Sequence, residues 1–261
     1  MSAGRENSKD AARDSIIRVR GLVNGFGGEL LHDHIDLDVY RGEVLGVVGG
    51  SGTGKSVLMR SIIGLNQIRS GTIEVFGQNT ANLNEAQMRK IEMRWGVLFQ
   101  EGALFSSQTI AENIQVPLRE YLNMPQQLMN EIASMKLSMV GLQEDAATKH
   151  PSELSGGLKK RAGLARALAL DPDIVFLDEP TAGLDPISAN MFDELINDLQ
   201  KSLKLTVFMV THDLDTLRAT TDRIAVLVDK KIKVGTIEEL RGDPHPWIQQ
   251  YFSGPRGRAA A

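Results

Sequence analysis

One eight-residue segment limits the folds open to this chain more than any other feature, because it fits the phosphate-binding pattern G-x-x-x-x-G-K-[ST]. The segment consists of Gly49, Gly50, Ser51, Gly52, Thr53, Gly54, Lys55 and Ser56. The apolar run 44–48 before it has the length of a strand, and residues 57–65 after it continue at helical spacing. Glycines let successive backbone N–H groups turn toward one anion, and a helix N-terminus adds roughly half a positive charge. We therefore expect a strand–loop–helix unit that binds a nucleoside triphosphate. Lys55 would reach the β- and γ-phosphates, Ser56 would ligate Mg²⁺, and Val57 would complete the binding set.

Composition narrows the class of protein further. The 261 residues suffice for a substantial core, and the net charge of −4 argues against a general nucleic-acid binder. The chain has no cysteine, which excludes disulfides, thiolate catalysis and zinc–thiolate sites and is typical of a reducing cytosol. Residues 1–14 are polar and charged, so we expect a disordered arm there and no signal peptide. No uncharged apolar stretch of about 18 residues occurs, so we expect membrane contact only through a partner.

Apolar runs separated by helical patterns predict an α/β fold. We expect strands at 16–23, 35–39, 44–48, 72–76, 95–99, 174–177, 206–210, 223–228 and 231–234. Further helices are predicted over 187–203 and along Leu158, Ala162, Ala165 and Ala169, with a C-terminal piece at 246–252 and a loose end at 254–261. Between about 101 and 153 the pattern is helical, and Leu128, Ile132, Met135 and Met139 recur on one helix face. We interpret that face as core packing.

Two adjacent acids end the predicted strand 174–177. Because the carboxyl ends of parallel strands lie beside a phosphate loop, Asp178 is expected to hold Mg²⁺, directly or through water. Glu179 is expected to take a proton from the attacking water, a role that contributes ~10²–10⁴ in rate. An acid pair at a strand end is common in α/β proteins, but after a phosphate loop it indicates triphosphate hydrolysis.

A second anion site is predicted about 100 residues after the first. Ser155 is a good helix N-cap, and Gly156 and Gly157 leave N–H groups exposed at a positive helix end. The basic run 159–161 that follows is interpreted as a solvated face.

The order of these motifs resembles that of an ABC-transporter ATPase over nearly the whole chain. The motifs are the phosphate loop, Gln100, 154–157, Asp178–Glu179, Gly183–Leu184–Asp185 and His212. The resemblance implies a P-loop NTPase of the ABC-ATPase fold, with a RecA-like core, an antiparallel β subdomain and an α-helical subdomain. It places the ATPase domain at 15–243, its helical subdomain at about 101–170 and a C-terminal extension at 244–261. It also implies ATP and Mg²⁺ as cofactors and a head-to-tail homodimer. Ser155 and Gly157 of one subunit would contact the γ-phosphate bound by the other.

The resemblance also implies a catalytic set of four residues, Lys55, Gln100, Glu179 and His212. Gln100 would sense Mg²⁺ and water while touching the membrane subunit. His212 would hold the γ-phosphate as a switch histidine.

The same resemblance implies roles for two further residues, and three other residues differ from the family pattern or match no position in it. Asp185 would lie across the dimer interface, and Phe26 would stack on adenine. Leu158 departs from the family pattern, in which Gln is usual, so it cannot offer an amide contact. His32 and His34 match no family position and are interpreted as surface or packing residues.

A narrower resemblance connects the chain to the ATPases of the Mla/Mce lipid-transport systems, the MlaF-like group. The segments that carry it are 100–105, 116–120, 151–153, 161–167, 229–232 and 248–254. It implies phospholipid transport that maintains outer-membrane lipid asymmetry, on the cytoplasmic face of the inner membrane of a Gram-negative bacterium. The implied partners are an MlaE-like permease, an MlaD-like protein with an MCE domain and an MlaB-like protein with a STAS domain.

The cassette motifs leave three alternatives open. They permit an importer of an amino acid or another small solute, which only the 101–153 segment argues against. A cytosolic ABC-type switch acting on nucleic acid or ribosomes is disfavoured by the single cassette, the acidic balance and the lack of a long coiled-coil insertion. A P-loop GTPase is disfavoured because no Asn-Lys-x-Asp guanine-reading motif occurs.

Overall fold

The computed structural model describes residues 14–25 and 27–253. Their strands are β1 (Ser15–Asn24), β2 (His32–Tyr40), β3 (Val44–Gly49), β4 (Ser70–Val75), β5 (Gln78–Asn79), β6 (Trp95–Leu98), β7 (Ile174–Asp178), β8 (Thr206–Val210), β9 (Arg223–Val228) and β10 (Lys231–Gly235). The helices are α1 (Lys55–Ile62), α2 (Glu85–Glu92), α3 (Ile110–Tyr121), α4 (Gln126–Met139), α5 (Gly156–Ala167), α6 (Pro186–Leu203), α7 (Leu214–Thr220), α8 (Ile237–Arg241) and α9 (Pro246–Ser253). Except for Asp14, the predicted arm 1–14 lies outside the described residues, as does the predicted loose end 254–261.

A six-stranded sheet in the order β10-β9-β3-β8-β7-β6 forms the centre of the fold. The five strands from β9 to β6 run parallel, and β10 is antiparallel to β9. The sequences of β3, β7 and β8 are almost continuous apolar runs, and every residue in them is buried. Such runs are typical of parallel strands covered on both faces.

A second sheet is antiparallel, in the order β2-β1-β4-β5. Apolar side chains of β1, β2 and β4 pack with α1 and one face of the central sheet in a single hydrophobic core. This core fixes α1, and with it the phosphate loop, against the end of β3. The predicted α/β class and the antiparallel β unit are therefore confirmed.

The helical segment contains α3, α4 and α5, which pack on one another. The interpretation of the α4 face as core is wrong for Leu128 and Met135, which are exposed. The buried face of α4 is turned by one residue and includes Lys136, whose Nζ reaches Asp171 Oδ1 at 2.5 Å. The apolar pattern alone misses this face because it predicts that a charged residue such as Lys136 is exposed. The aliphatic stem of a lysine can nevertheless be buried when its ammonium group binds an acceptor. Ile132 and Met139 are partly buried against the helical core, as predicted.

Three short helices were not predicted from the sequence: α2, α7 and α8. A local signal exists for α2, because Asn84 and Gln87 form a reciprocal capping box at its start. The helix α5 ends at Ala167, before the predicted Ala169, and Leu158 on it is exposed.

The C-terminal helices belong to a third hydrophobic core. Leu240, Ile248 and Phe252 pack there with Val48 of β3 and Leu217 of α7. The extension after residue 243 is therefore anchored to the strand that leads into the phosphate loop. Over 14–25 and 27–253, no helix has both the length and the apolar character needed to cross a membrane.

Candidate active site

The predicted site residues meet at one edge of the central sheet. The strands β3, β8 and β7 are parallel neighbours, so their carboxyl ends point the same way. The phosphate loop follows β3, Asp178 and Glu179 stand at the end of β7, and His212 comes two residues after β8. Motifs far apart in the sequence therefore share one site, as expected for a parallel sheet.

The phosphate loop curls around the position where an anion would sit. Gly54 has φ +98°, a conformation that side chains other than glycine rarely adopt, and it serves as the N-cap of α1. Lys55 Nζ donates to the carbonyl oxygens of Gly49 and Gly50, each at 3.0 Å. Burial lowers the pKa of Lys55, and the nearby Glu179 and Asp178 charges oppose that shift. The Lys55 ammonium is thus held at the N-terminus of α1 by two neutral carbonyl acceptors. A charged phosphate oxygen is a stronger acceptor and can replace them.

Two of the predicted magnesium ligands are already in contact. Ser56 Oγ donates to Asp178 Oδ1 at 2.9 Å, and Asp178 is buried at the end of β7. One hydroxyl and one carboxylate are the few protein oxygens that Mg²⁺ takes when substrate phosphates and water supply the rest. The donor set therefore fits this ion.

Glu179 is held in an uncommon backbone conformation. Its φ is +51°, and its N–H donates to Val210 O at 2.8 Å. Its carbonyl oxygen accepts from Lys160 Nζ at 2.9 Å. Its carboxylate Oε2 lies 2.7 Å from Nδ1 of His212, with the imidazole as donor. The carboxylate is 14% exposed and the imidazole 69% exposed, so both groups are placed to meet a ligand that enters from solvent.

The interpretation of the basic run 159–161 as a solvated face is wrong for Lys160, which is only 6% exposed. Burial lowers the pKa of Lys160, while the Glu179 charge opposes that shift. Arg161 is also partly buried, and its guanidinium donates to Val140 O at 2.7 Å. The reason is that α5 packs against α3, α4 and β6, so Lys160 and Arg161 find backbone acceptors instead of water.

The predicted second anion site is exposed and apart from the first. Ser155 caps α5, accepting from Leu158 N at 3.4 Å, and Gly156 has no heavy atom near its missing Cβ. The nearest side chains to the missing Cβ of Gly157 are Leu184 and Ser188, beside the predicted interface loop. Among the described residues, no hydrogen bond joins 155–157 to the phosphate loop.

Asp185 lies exposed at the start of α6. Its Oδ1 caps the helix by accepting from the N–H groups of Ile187 and Ser188, at 3.1 and 3.0 Å. The hydrogen bonds from Ser188 hold the pKa of Asp185 below its usual value. The structure thus gives Asp185 a local capping role besides the predicted one.

Gln100 is not joined to the other predicted magnesium ligands. It lies exposed in the loop after β6, and within the described part of the chain no hydrogen bond connects it to Ser56 or Asp178. The loop itself is fixed by Arg166 of α5, which donates to Gly102 O at 2.9 Å and to Ala103 O at 2.7 Å.

The interpretation of His32 as a packing residue is confirmed, and the sequence did not reveal that it packs against the phosphate loop. His32 is fully buried, and its Nε2 lies 3.1 Å from Gly54 O, within the loop. Burial lowers the pKa of His32, and the hydrogen bond with Gly54 opposes that shift. Nothing local in the sequence marks this contact. His34, in contrast, is exposed beside Asp33, and Phe26 lies outside the described residues.

Comparison with known sequences links these motifs to one family. Residues 32–182 match the family described as "ABC transporter". The intermembrane phospholipid transport system ATP-binding protein MlaF of Escherichia coli K12 is 38% identical over 92% of this chain and 89% of that protein. The MlaF protein of Haemophilus influenzae is 37% identical over 92% of this chain and 91% of that protein. The probable ribonucleotide transport ATP-binding protein mkl of Mycobacterium leprae is 39% identical, over 92% of this chain but 69% of that protein.

Solved structures agree with that assignment. A dimeric ATP-binding cassette in a post-hydrolysis state, bound to ADP and Pi, superposes with a TM-score of 0.76 at 28% identity. It matches 84% of this chain and 98% of that cassette. The structure of cbiO1 from Clostridium perfringens, part of the ABC transporter complex cbiONQ, gives a TM-score of 0.79 at 27% identity, over 93% of this chain and 97% of that one.

Proposed function

The chain belongs to the ABC transporter family and is an ATP-binding ATPase, and we propose that it works as a head-to-tail dimer with two composite sites. Each ATP would lie between the phosphate loop of one copy and residues 155–157 of the other. The observation that carries this proposal is the exposed N-terminus of α5. Among the described residues, no hydrogen bond joins it to the phosphate loop of its own chain, so it is open to a nucleotide held by another copy. The dimeric state of a similar cassette supports it.

Within each site, the residues of this chain divide the work. Backbone N–H groups of 49–56 and the Lys55 ammonium bind the β- and γ-phosphates. Ser56, Asp178 and Gln100 would hold Mg²⁺, which when bound neutralises phosphate charge. Glu179 accepts the proton of the attacking water, and His212 donates a hydrogen bond to the γ-phosphate. The residue proposed to stack on adenine is Phe26, and Asp185 would face the partner copy.

The Glu179→Gln variant tests this assignment, because the amide keeps the size of the side chain and removes the base. ATP affinity should stay within about threefold, and kcat should fall by ~10²–10⁴. The Glu101→Gln variant, in the exposed loop after β6, controls for the loss of one carboxylate. Full turnover by Glu179→Gln would remove Glu179 from the proposed role.

We further propose that the hydrolysis energises phospholipid transport between the inner and outer membranes. The MlaF proteins are intermembrane phospholipid transport ATP-binding proteins, and this chain spans 89–91% of their length. The mycobacterial mkl proteins, whose name refers to ribonucleotides, are similar only over 67–69% of theirs. The identities of the two groups are similar, at 37–39%, so it is the agreement in length that favours the lipid substrate.

A permease would dock on a groove beside the helical segment. The groove has a volume of about 300 Å³ and is lined by apolar side chains that include Trp95, Phe105, Val116 and Pro117. Phe105 is exposed there, an unusual position for a large aromatic side chain. We propose that an apolar helix end of an MlaE-like permease occupies this groove, which would hold the ATPase at the cytoplasmic face of the inner membrane. The further proposed partners are the MlaD-like and MlaB-like subunits.

Purification of the intact complex tests the transport proposal. Mass spectrometry should find an MCE-domain protein and phospholipid, and phospholipid should stimulate ATP hydrolysis by the complex. A periplasmic solute-binding protein in the complex, with stimulation by a ribonucleotide or amino acid, would replace the lipid by a small solute.

A further inference from the structure

The C-terminal helix α9 packs against the central sheet next to the end of β3, where the phosphate loop begins. Its Ile248 and Phe252 are buried in the third hydrophobic core, where Val48 of β3 also lies. Val48 is separated from the phosphate loop by a single peptide bond. The position of α9 is therefore fixed relative to the loop that binds ATP.

Next to this buried face, α9 carries two stacked aromatic rings that are partly buried against the same core. Trp247 and Tyr251 have ring centroids 4.9 Å apart and planes inclined by 11°. A Cβ built on Gly50 would lie 3.7 Å from Trp247 Nε1, so the indole borders the phosphate loop. The phenol hydroxyl of Tyr251 donates to the carbonyl oxygen of His212 at 3.0 Å. One helix thus contacts both loops that would hold the γ-phosphate.

We propose that Tyr251 is a positioning residue for ATP hydrolysis, acting through the backbone of His212. This inference rests on the proposed role of His212 toward the γ-phosphate. The hydroxyl of Tyr251 fixes the main chain on the C-terminal side of the imidazole. One residue before His212, Thr211 is fully buried, and its N–H donates to Val47 O at 3.2 Å. The imidazole between these two anchors stays exposed and is free to turn from Glu179 to an incoming phosphate.

The tyrosine hydroxyl is suited to this task because it remains a donor. Burial raises the pKa of Tyr251 above its ordinary value, and the Asp213 and Glu179 charges raise it further. The proton therefore stays on the phenol throughout the neutral range. Asp213, the next residue after His212, caps α7 through its own side chain and leaves the His212 carbonyl to Tyr251.

The Tyr251→Phe variant removes only this hydroxyl and keeps the stacked ring. In the purified full-length chain, kcat for ATP should fall about 5- to 10-fold, within the range expected when one intramolecular hydrogen bond is lost. The KM for ATP should change less than twofold, because the phosphate loop is intact. The matched control is Tyr121→Phe, since the Tyr121 hydroxyl also makes one side-chain hydrogen bond, to Glu92 at 3.0 Å, and it lies away from the loops of the nucleotide site. The control should keep kcat within twofold of the wild type.

Three outcomes decide the matter. A kcat for Tyr251→Phe within twofold of the wild type overturns the inference, as does an equal loss of kcat in both tyrosine variants. A loss of ATP binding also overturns it, because the hydroxyl would then support the phosphate loop and not His212. The His212→Ala variant tests the proposed function separately. Wild-type turnover by this variant would reject the role of His212 itself, independently of the result for Tyr251→Phe.

Discussion

Glu179 Oε2 and His212 Nδ1 lie 2.7 Å apart across the catalytic edge, although β7 and β8 deliver them from different parts of the chain. The two groups proposed to act on the attacking water and on the γ-phosphate are thus in direct contact with each other. The backbone of Glu179 is fixed by Val210 and Lys160, whereas the His212 imidazole is largely exposed. We infer that the imidazole is the mobile member of the pair and the carboxylate the fixed one.

The His212→Ala variant should separate binding from hydrolysis. It removes the donor to the γ-phosphate but leaves the phosphate loop unchanged, so kcat should fall about 10²-fold while ATP affinity changes little. Steady-state ATPase assays and equilibrium titration measure the two effects. His34→Asn is the control, because His34 is exposed and has φ +53°, which asparagine tolerates. Similar losses in both variants would contradict the assignment.

Lys160→Met should lower turnover by about 10-fold or more, because a charged donor to the Glu179 carbonyl is lost while the aliphatic stem is kept. ATP affinity should remain within about threefold of the wild type. Lys159→Met is the matched control, since the neighbouring lysine is only partly buried. Equal turnover in the two variants would show that the Lys160 contact does not position the base.

The Asp193→Asn variant should change how stability depends on pH. Asp193 is buried, and its carboxylate accepts only from Thr216 at 3.0 Å among the described residues. Burial raises its pKa to about 6, with the Asp213 and Asp215 charges adding and the Thr216 bond opposing. The folded pKa exceeds the unfolded value of about 3.9, so the stabilising contribution is full below about pH 4 and lost as pH rises through about 6.

The Tm of Asp193→Asn relative to the wild type should therefore increase from pH 4 to about pH 7 and then level off. Thermal unfolding at a series of pH values measures this difference. The exposed Asp198→Asn change on the same helix controls for the loss of one charge. A Tm difference that stays constant over the whole range would contradict the raised pKa.

Mixed dimers should locate the two halves of each site. Lys55→Ala damages the phosphate loop, and Gly157→Asp places an acid opposite the γ-phosphate while suiting the first turn of α5. In the Glu179→Gln background, a mixed dimer keeps one undamaged composite site and should trap one ATP. Each parent homodimer should trap none. Mixed dimers without trapped ATP would contradict the head-to-tail arrangement.

The phosphate loop, the acid pair and the capped start of α5 could be predicted because each is a local pattern with its own chemistry. The contacts of Lys160 with Glu179, His32 with Gly54 and Tyr251 with His212 could not. They join residues 19, 22 and 39 positions apart through packing that no local pattern encodes. The α4 face was misassigned for a related reason: which side of a helix is buried depends on its neighbours, and there a lysine with a distant partner is buried while Leu128 and Met135 are not.

The structure of the Glu179→Gln variant with ATP and Mg²⁺ tests the shared-site account most directly. The account predicts that Ser155 Oγ of one copy lies about 2.7–3.2 Å from an oxygen of the γ-phosphate held by Lys55 of the other copy. A nucleotide-loaded dimer in which solvent separates Ser155 of both copies from both γ-phosphates would contradict it.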